Sequence, residues 1–257
     1  MKPRPRNLKD DPYSEFAEFY DLFHERFGEF QDGSIEVFFR DLFESRGVHR
    51  VLDCACGTAQ HLPLFCSLGC EVVGSDISDA MLARARGNLA SRGLGVSLVK
   101  ADFRELHRHF ADPFDAVVCL GTSLPHLLER SDVVKMLENT RRVLRPKGPL
   151  VISQGISDRT VREKPLLIPV ITGRDFSRVF GMEYGARSVK IHVLDMIHTE
   201  KGQESRQYGF EYQILLQNDY RRLLDEAGYR DIEFFADYRA TPYSKQTSDR
   251  MIVVALG

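Results

Sequence analysis

This chain lacks a marked excess of either acidic or basic residues. With 35 Lys and Arg against 37 Asp and Glu, the 257 residues carry a net charge of −2. Acids and bases are interspersed, so no extended basic face is on offer to a polyanion and no nucleic-acid partner is expected. A long apolar run is also missing. The start, MKPRPRNLKDDP, is basic and proline-rich, but no hydrophobic segment follows it. It therefore reads as neither a signal peptide nor a membrane anchor, and residues 1–12 are expected to be a disordered tail of a cytoplasmic protein without a membrane partner. Cysteine is sparse and odd in number: Cys54, Cys56, Cys66, Cys70 and Cys119. No C-x-x-C pair completes a zinc cluster, and the C-x-C at 54 and 56 falls in a tight turn, so reduced, buried thiols and no metal site are expected. Nothing in the composition sets an oligomeric state.

The stretch that is present, and that organises the rest, is VLDCACGTAQH, Val51 to His61. Two apolar residues and an acid end in a turn of small residues that leads into a helical pattern. Ala55, Gly57 and Ala59 leave room for a ligand against the backbone, with the N–H groups of a helix start aimed at it. A dinucleotide fingerprint, G-x-G-x-x-G, is lacking, since only Gly57 of the three small positions is glycine; this disfavours an NAD-linked oxidoreductase. About twenty residues on, EVVGSDISDAML places Asp76 at the end of a second apolar strand, where a carboxylate accepts both hydroxyls of a ribose. An adenosine-containing ligand fits that spacing.

Hydrophobic content of 43% supports one large α/β core. Aromatic residues at Tyr13, Phe16, Phe19, Tyr20, Phe23, Phe27 and Phe30 recur three or four apart, the pattern of an amphipathic helix that packs on the core, closes over a site, or does both. A second helix, capped by Ser34, carries Ile35, Phe38, Phe39, Leu42 and Phe43 to a stop at Gly47. Strands and helices then alternate. VLDCA, EVVGSD, VSLVKA, FDAVVCLG and PLVIS are strands, with helices over 59–68, 79–91 (capped by Ser78) and up to Leu144 (capped by Ser131) between them. Connections this short force parallel strands and right-handed crossovers, hence a Rossmann-like doubly wound α/β sheet with its ligand beyond the carboxyl strand ends. Asp53, Asp76, Asp102 and Gly121 fall on that edge. Residues 156–184 read as loop and short helix. SVKIHVLDMIH and ESRQYGFEYQI alternate with period two around a KGQ turn, an inserted β-hairpin. A helix capped by Asn218 and two strands, IEFFADY and MIVVALG, complete the chain. The divisions are thus a tail over 1–12, an N-terminal helical lid over 13–46, and a main domain over 47–257 with an insertion at about 156–216.

The run VLDCACGTAQ, GSDIS, VKADFREL, FDAVVCLGTSLPHLL and RVLRPKGPLVIS resembles the successive motifs of class I S-adenosylmethionine (SAM)-dependent methyltransferases, in their usual order. The likeness covers Phe16 to Gly257, and ACGT with CLGTSLPHL is similar to the glycine N-methyltransferase branch that acts on small molecules. The N/D-P-P-Y/F tetrapeptide and proline–cysteine pair of nucleic-acid methylating enzymes are not in the sequence.

That resemblance implies a seven-stranded sheet with its last strand antiparallel, SAM as cofactor and a small-molecule acceptor. It implies methyl transfer to an amine nitrogen; a hydroxyl acceptor and a non-catalytic SAM-binding protein are the alternatives. The backbone from Ala55 through Gly57 to Ala59 would hold the methionine part and Asp53 its ammonium. Asp76, followed by Ile77, would take the ribose, Asp102 and Phe103 the adenine, and the backbone of Leu120 and Gly121 would complete the cradle. His126 and Tyr20 take the catalytic positions, Tyr20 from the closing segment YDLF. One departure bears on substrate: glycine N-methyltransferases follow the fifth strand with an arginine that clamps the amino-acid carboxylate, and here that position is Gly155, with Arg159 and Arg162 nearby. Free glycine is therefore expected to be a poor acceptor, and Tyr184, Tyr208, Phe210 and Tyr212 are expected to offer faces for an amine.

Overall fold

The computed structural model describes Tyr13, residues 17–21, 33–199 and 202–257. The expected tail over 1–12, Phe16, Phe23, Phe27 and Phe30 of the aromatic stripe, and Lys201 of the KGQ turn lie outside the described residues.

Strands β1 (Arg50–Asp53), β2 (Glu71–Asp76), β3 (Ser97–Lys100), β4 (Ala116–Cys119) and β5 (Pro149–Gln154) run parallel. The intervening helices are α3 (Leu62–Ser67), α4 (Asp79–Ser91) and α5 (Arg130–Val143), preceded in the chain by α1 (Ala17–Tyr20) and α2 (Ser34–Arg46). Beyond β5 come α6 (Asp158–Glu163), strands β6 (Leu167–Thr172), β7 (Phe176–Tyr184), β8 (Ser188–Thr199) and β9 (Gly202–Gln213), helix α7 (Gln217–Glu226), β10 (Arg230–Phe235) and β11 (Met251–Leu256). The main sheet has the order β10-β11-β5-β4-β1-β2-β3. Its last strand, β11, lies antiparallel between β5 and β10, as the resemblance implied. The order reverses between β1 and β4, and there the sheet opens a crevice at its carboxyl edge.

The central strands read as continuous apolar runs because helices cover both faces. One face packs Leu52, Val117 and Ile152 against Met136 and Leu137 of α5 and Leu223 of α7. The other packs Val51, Val118 and Val151 against Phe39 and Phe43 of α2 and Phe65 of α3. Among the described residues no helix is long and apolar enough to cross a membrane.

The expected hairpin is β8–β9, and it belongs to a four-stranded antiparallel sheet in the order β6-β7-β8-β9. Residues 156–184, read from sequence as loop and short helix, contain α6 and two further strands. Pro169 and the bulge between Pro169 and Ile171 break the alternation on which the sequence reading relied. Ser78 caps α4 by accepting the Met81 N–H at 3.1 Å, and Gly47 ends α2, both as expected. Ser34, Ser131 and Asn218 are not caps. The chain is left-handed at Gly33 and extended at Glu129 and Leu216, so these are the cap positions and the three polar residues fall inside the first turn. Helix α3 starts at Leu62 instead of Ala59 because Ala59 is left-handed, with φ of 72°.

Candidate functional site

The carboxyl edge of the main sheet and one face of the four-stranded sheet enclose a cavity of about 1650 Å³. Of the residues the sequence points to, Tyr20, Ala55, Gly57, Asp76, Ile77, Asp102, Phe103, Gly121 and His126 line it together. Ala59 and Leu120 are buried in the core behind it. Asp53 is buried, with 1% of its surface exposed, and does not itself line the cavity, although the next two residues, Cys54 and Ala55, do.

The turn after β1 is tied to the end of β2. Asp76 accepts the Gly57 N–H on one carboxylate oxygen and the Ser78 N–H on the other, both at 2.9 Å, which fixes the carboxylate at the cavity wall. Gly57 and Gly121 are left-handed, with φ of 52° and 76°. A Cβ at Gly121 would stand 3.6 Å from the Tyr20 hydroxyl and one at Gly57 would stand 4.0 Å from the Tyr20 ring, so side chains there would fill the space under Tyr20.

Asp53 carries the clearest electrostatic signal. Its Oδ1 accepts the Ala55 N–H at 3.3 Å, while its buried Oδ2 accepts no hydrogen bond among the described residues. Burial, with a smaller push from the Asp76 charge, raises its pKa to about 7. A buried carboxylate oxygen without a donor costs stability unless a cation or donor reaches it. An α-ammonium at this point meets that need, so the residues present fit SAM.

Just after β3, Asp102 accepts the Arg104 N–H at 2.9 Å and pairs with the Arg104 guanidinium, whose Nη1 also donates to Asp132 at 2.7 Å. Arg104 lines the cavity and was not singled out from sequence, although its place two residues after the acid is the signal that an Asx-type turn gives.

His126 sits in a short 3-10 turn, Leu124–His126, and is enclosed by rings. The Tyr13 hydroxyl lies 3.0 Å from its Nε2, and the rings of Tyr13, Phe210 and Tyr212 stand edge-on to it at centroid distances of 5.5, 5.7 and 4.4 Å. Burial lowers its pKa to about 4, leaving a neutral imidazole. Burial and the charges of Asp76, Asp53 and Asp21 push the Tyr20 phenol up to about 12. Of the four aromatics expected from the inserted region, Phe210 and Tyr212 line the cavity. Tyr208 is buried in the adjoining core, and Tyr184 donates to the Pro165 carbonyl at 3.2 Å.

Arg159 and Arg162 do not line the cavity. Arg159 pairs with Glu163 and Asp249; Arg162 donates to the carbonyls of Lys245 and Gln246. Gly155 does line it, and so does Arg250, which precedes β11 just beyond the Met251–Gln154 pair and is exposed.

Residues 51–148 match the family model described as a methyltransferase domain. The chain is 30% identical to a glycine/sarcosine N-methyltransferase of Halorhodospira halochloris over 98% of its own length and 92% of that protein's. Among solved structures, a SAM-dependent methyltransferase from Clostridium acetobutylicum superposes with a TM-score of 0.79 at 16% identity, covering 95% of this chain and 98% of that one. The SAM-bound amino pentose methyltransferase of Micromonospora echinaspora gives 0.72 at 21% identity, covering 98% and 99%. The seven-stranded order with its antiparallel last strand, the acids along its carboxyl edge and the full-length relative lead to one assignment: the chain belongs to the class I SAM-dependent methyltransferases, in the small-molecule branch that resembles glycine N-methyltransferase.

Proposed function

We propose that the cavity holds SAM between the β1 turn and Asp76 and that the enzyme methylates the nitrogen of a small-molecule amine. The relative from Halorhodospira halochloris, an N-methyltransferase by its name, supports transfer to nitrogen. The observation that carries the reading is the neutral, ring-enclosed His126, with its pKa near 4. A hydroxyl acceptor needs a base to take its proton, and an imidazole this acidic is a weak one; an amine needs only to arrive unprotonated. A desolvated, aromatic-lined cavity favours the neutral amine, because burial raises the cost of its charged form.

When bound, SAM supplies a methyl group activated on a sulfonium. The chain's residues bind and align. Asp53 faces the ammonium, Asp76 takes the ribose hydroxyls, and Asp102, held by Arg104, stands at the adenine with Phe103 and Ile77 as apolar surfaces. Tyr20 lies over Gly57 and Gly121 and keeps water from the transfer point, with its phenol protonated. Tyr13, His126, Phe210 and Tyr212 present ring edges and faces to the acceptor nitrogen. Alignment of two bound reactants supplies roughly 7–11 kcal/mol of the barrier. Tyr13 and residues 17–21 act as the lid, while α2 packs into the core.

Free glycine is a poor acceptor in this reading. Position 155 has no side chain, Arg159 and Arg162 are committed elsewhere, and the exposed Arg250 offers a carboxylate about 0–1 kcal/mol. The deciding experiment compares amines, their alcohol counterparts and free amino acids with labelled SAM. Amines should give the highest kcat/KM; alcohols above amines would overturn the assignment to nitrogen.

A further inference from the structure

The wall of the cavity opposite the cofactor edge defines the body on which the amine is carried. Phe180 stands across from Val193, and Met182 and Phe210 flank Ile191 in the β7–β8–β9 ladders. All five line the cavity, on the one face that period two allows. The next pair on that face is Arg178 across from Asp195, both fully buried and paired with each other through two hydrogen bonds. Neither lines the cavity, so apart from Thr172 the sheet turns hydrocarbon and aromatic surface toward the acceptor, and no charge.

The apolar surface continues to the rim. On the edge strand β6, Ile168, Val170 and Ile171 line the cavity. Val170 is also 37% exposed, and the neighbouring Leu166 and Leu167 are 74% and 68% exposed. Exposed apolar residues clustered beside a cavity mark a place where an apolar group is received. At about 1650 Å³ the cavity exceeds the roughly 300–1,000 Å³ of an ordinary small-ligand pocket, which leaves room for a second body beside the cofactor far larger than glycine.

We infer that the acceptor is a primary or secondary amine carried on an apolar body, alkyl or aryl, which lies against the β6–β9 sheet and enters past β6. This rests on the amine reading above. The nitrogen lone pair forms the N–C bond as the C–S bond breaks, the bond's electron pair stays on sulfur, and the product ammonium gives its proton to water.

The test uses the full chain with saturating labelled SAM and the series ethylamine to octylamine, phenethylamine, ethanolamine, glycine and the matching alcohols. The expected result is a rise in kcat/KM of about fourfold per added methylene until the wall is covered. Ile171→Asn and Val170→Ser should each flatten that rise, and the SAM dissociation constant of each variant reports whether it is folded. A flat or falling dependence on chain length, with amines still methylated, overturns the apolar body and leaves the amine reading standing. Turnover of alcohols without amines overturns the amine reading. Turnover of no apolar amine overturns the inference as well.

Discussion

The Tyr13 hydroxyl lies 3.0 Å from His126 Nε2, joining the N-terminal segment to the turn after β4 across 113 residues of chain. This contact closes the ring of aromatics around His126. It also lies where desolvation holds the imidazole neutral down to about pH 4. At saturating SAM, the pH profile of kcat/KM for the amine should therefore show no inflection near 6.5, the ordinary histidine value. His126→Asn should lower kcat and leave the profile's shape alone; an inflection near 6.5 that vanishes in this variant would show that His126 acts as a base.

If Asp53 meets the cofactor's ammonium, it should couple cofactor binding to pH. With its folded pKa raised from 3.8 to about 7, the group holds its proton more tightly folded than unfolded. Stability of the cofactor-free protein should thus be greatest below about pH 4 on this account, decline as pH rises to about 7, and be flat above. Asp53→Asn should remove the decline and raise stability above pH 7, by on the order of 1–3 kcal/mol in denaturant titrations. SAM binding should move the other way, tightening between pH 5 and 7 with release of a proton. Calorimetry in two buffers of different ionisation enthalpy measures that proton directly.

Asp76 accepts the Gly57 and Ser78 N–H groups and lines the cavity, so its removal should lower stability as well as binding. Asp76→Ala is expected to weaken SAM about tenfold or more. An unchanged dissociation constant would remove Asp76 from the ribose.

Substitution at 155 tests the acceptor. An ideal Cβ on Gly155 meets only the Thr122 hydroxyl oxygen, at 3.7 Å, so a side chain fits. Gly155→Arg would place a second guanidinium beside Arg250, and the two repel until a carboxylate bridges them. The variant should gain at least about tenfold in kcat/KM on glycine and gain nothing on uncharged-bodied amines. Equal gains on both would sever position 155 from carboxylate recognition.

The Arg178–Asp195 pair joins β7 to β8 with neither side chain exposed. Asp195→Ala leaves a buried cation without its carboxylate and should cost about 3–5 kcal/mol, whereas Arg178→Met with Asp195→Leu should recover most of that. Thermal melts of the single and double variants distinguish a structural ion pair from a dispensable one.

The cofactor half was legible in the residues themselves. An apolar strand, an acid and a small-residue turn are local signals, and their repetition at short spacing leaves a parallel sheet as the only economical arrangement. That is why Gly57, Asp76 and Gly121, which the spacing places on the carboxyl edge, line one cavity in the fold. What only the tertiary structure decided depends on contacts distant in sequence. Two strands within 156–184 escaped notice because a proline and a bulge break period two. The caps of α2, α5 and α7 shifted by a residue or two, since backbone dihedrals set by neighbouring packing choose the cap. The pKa values of Asp53 and His126 depend on how much protein surrounds them. The acceptor wall is built from alternate residues of β6 to β9, and their apolar character is visible in the sequence. That those residues face the cavity, with Arg178 and Asp195 neutralising each other on the same face, follows from strand register, which long-range pairing alone establishes.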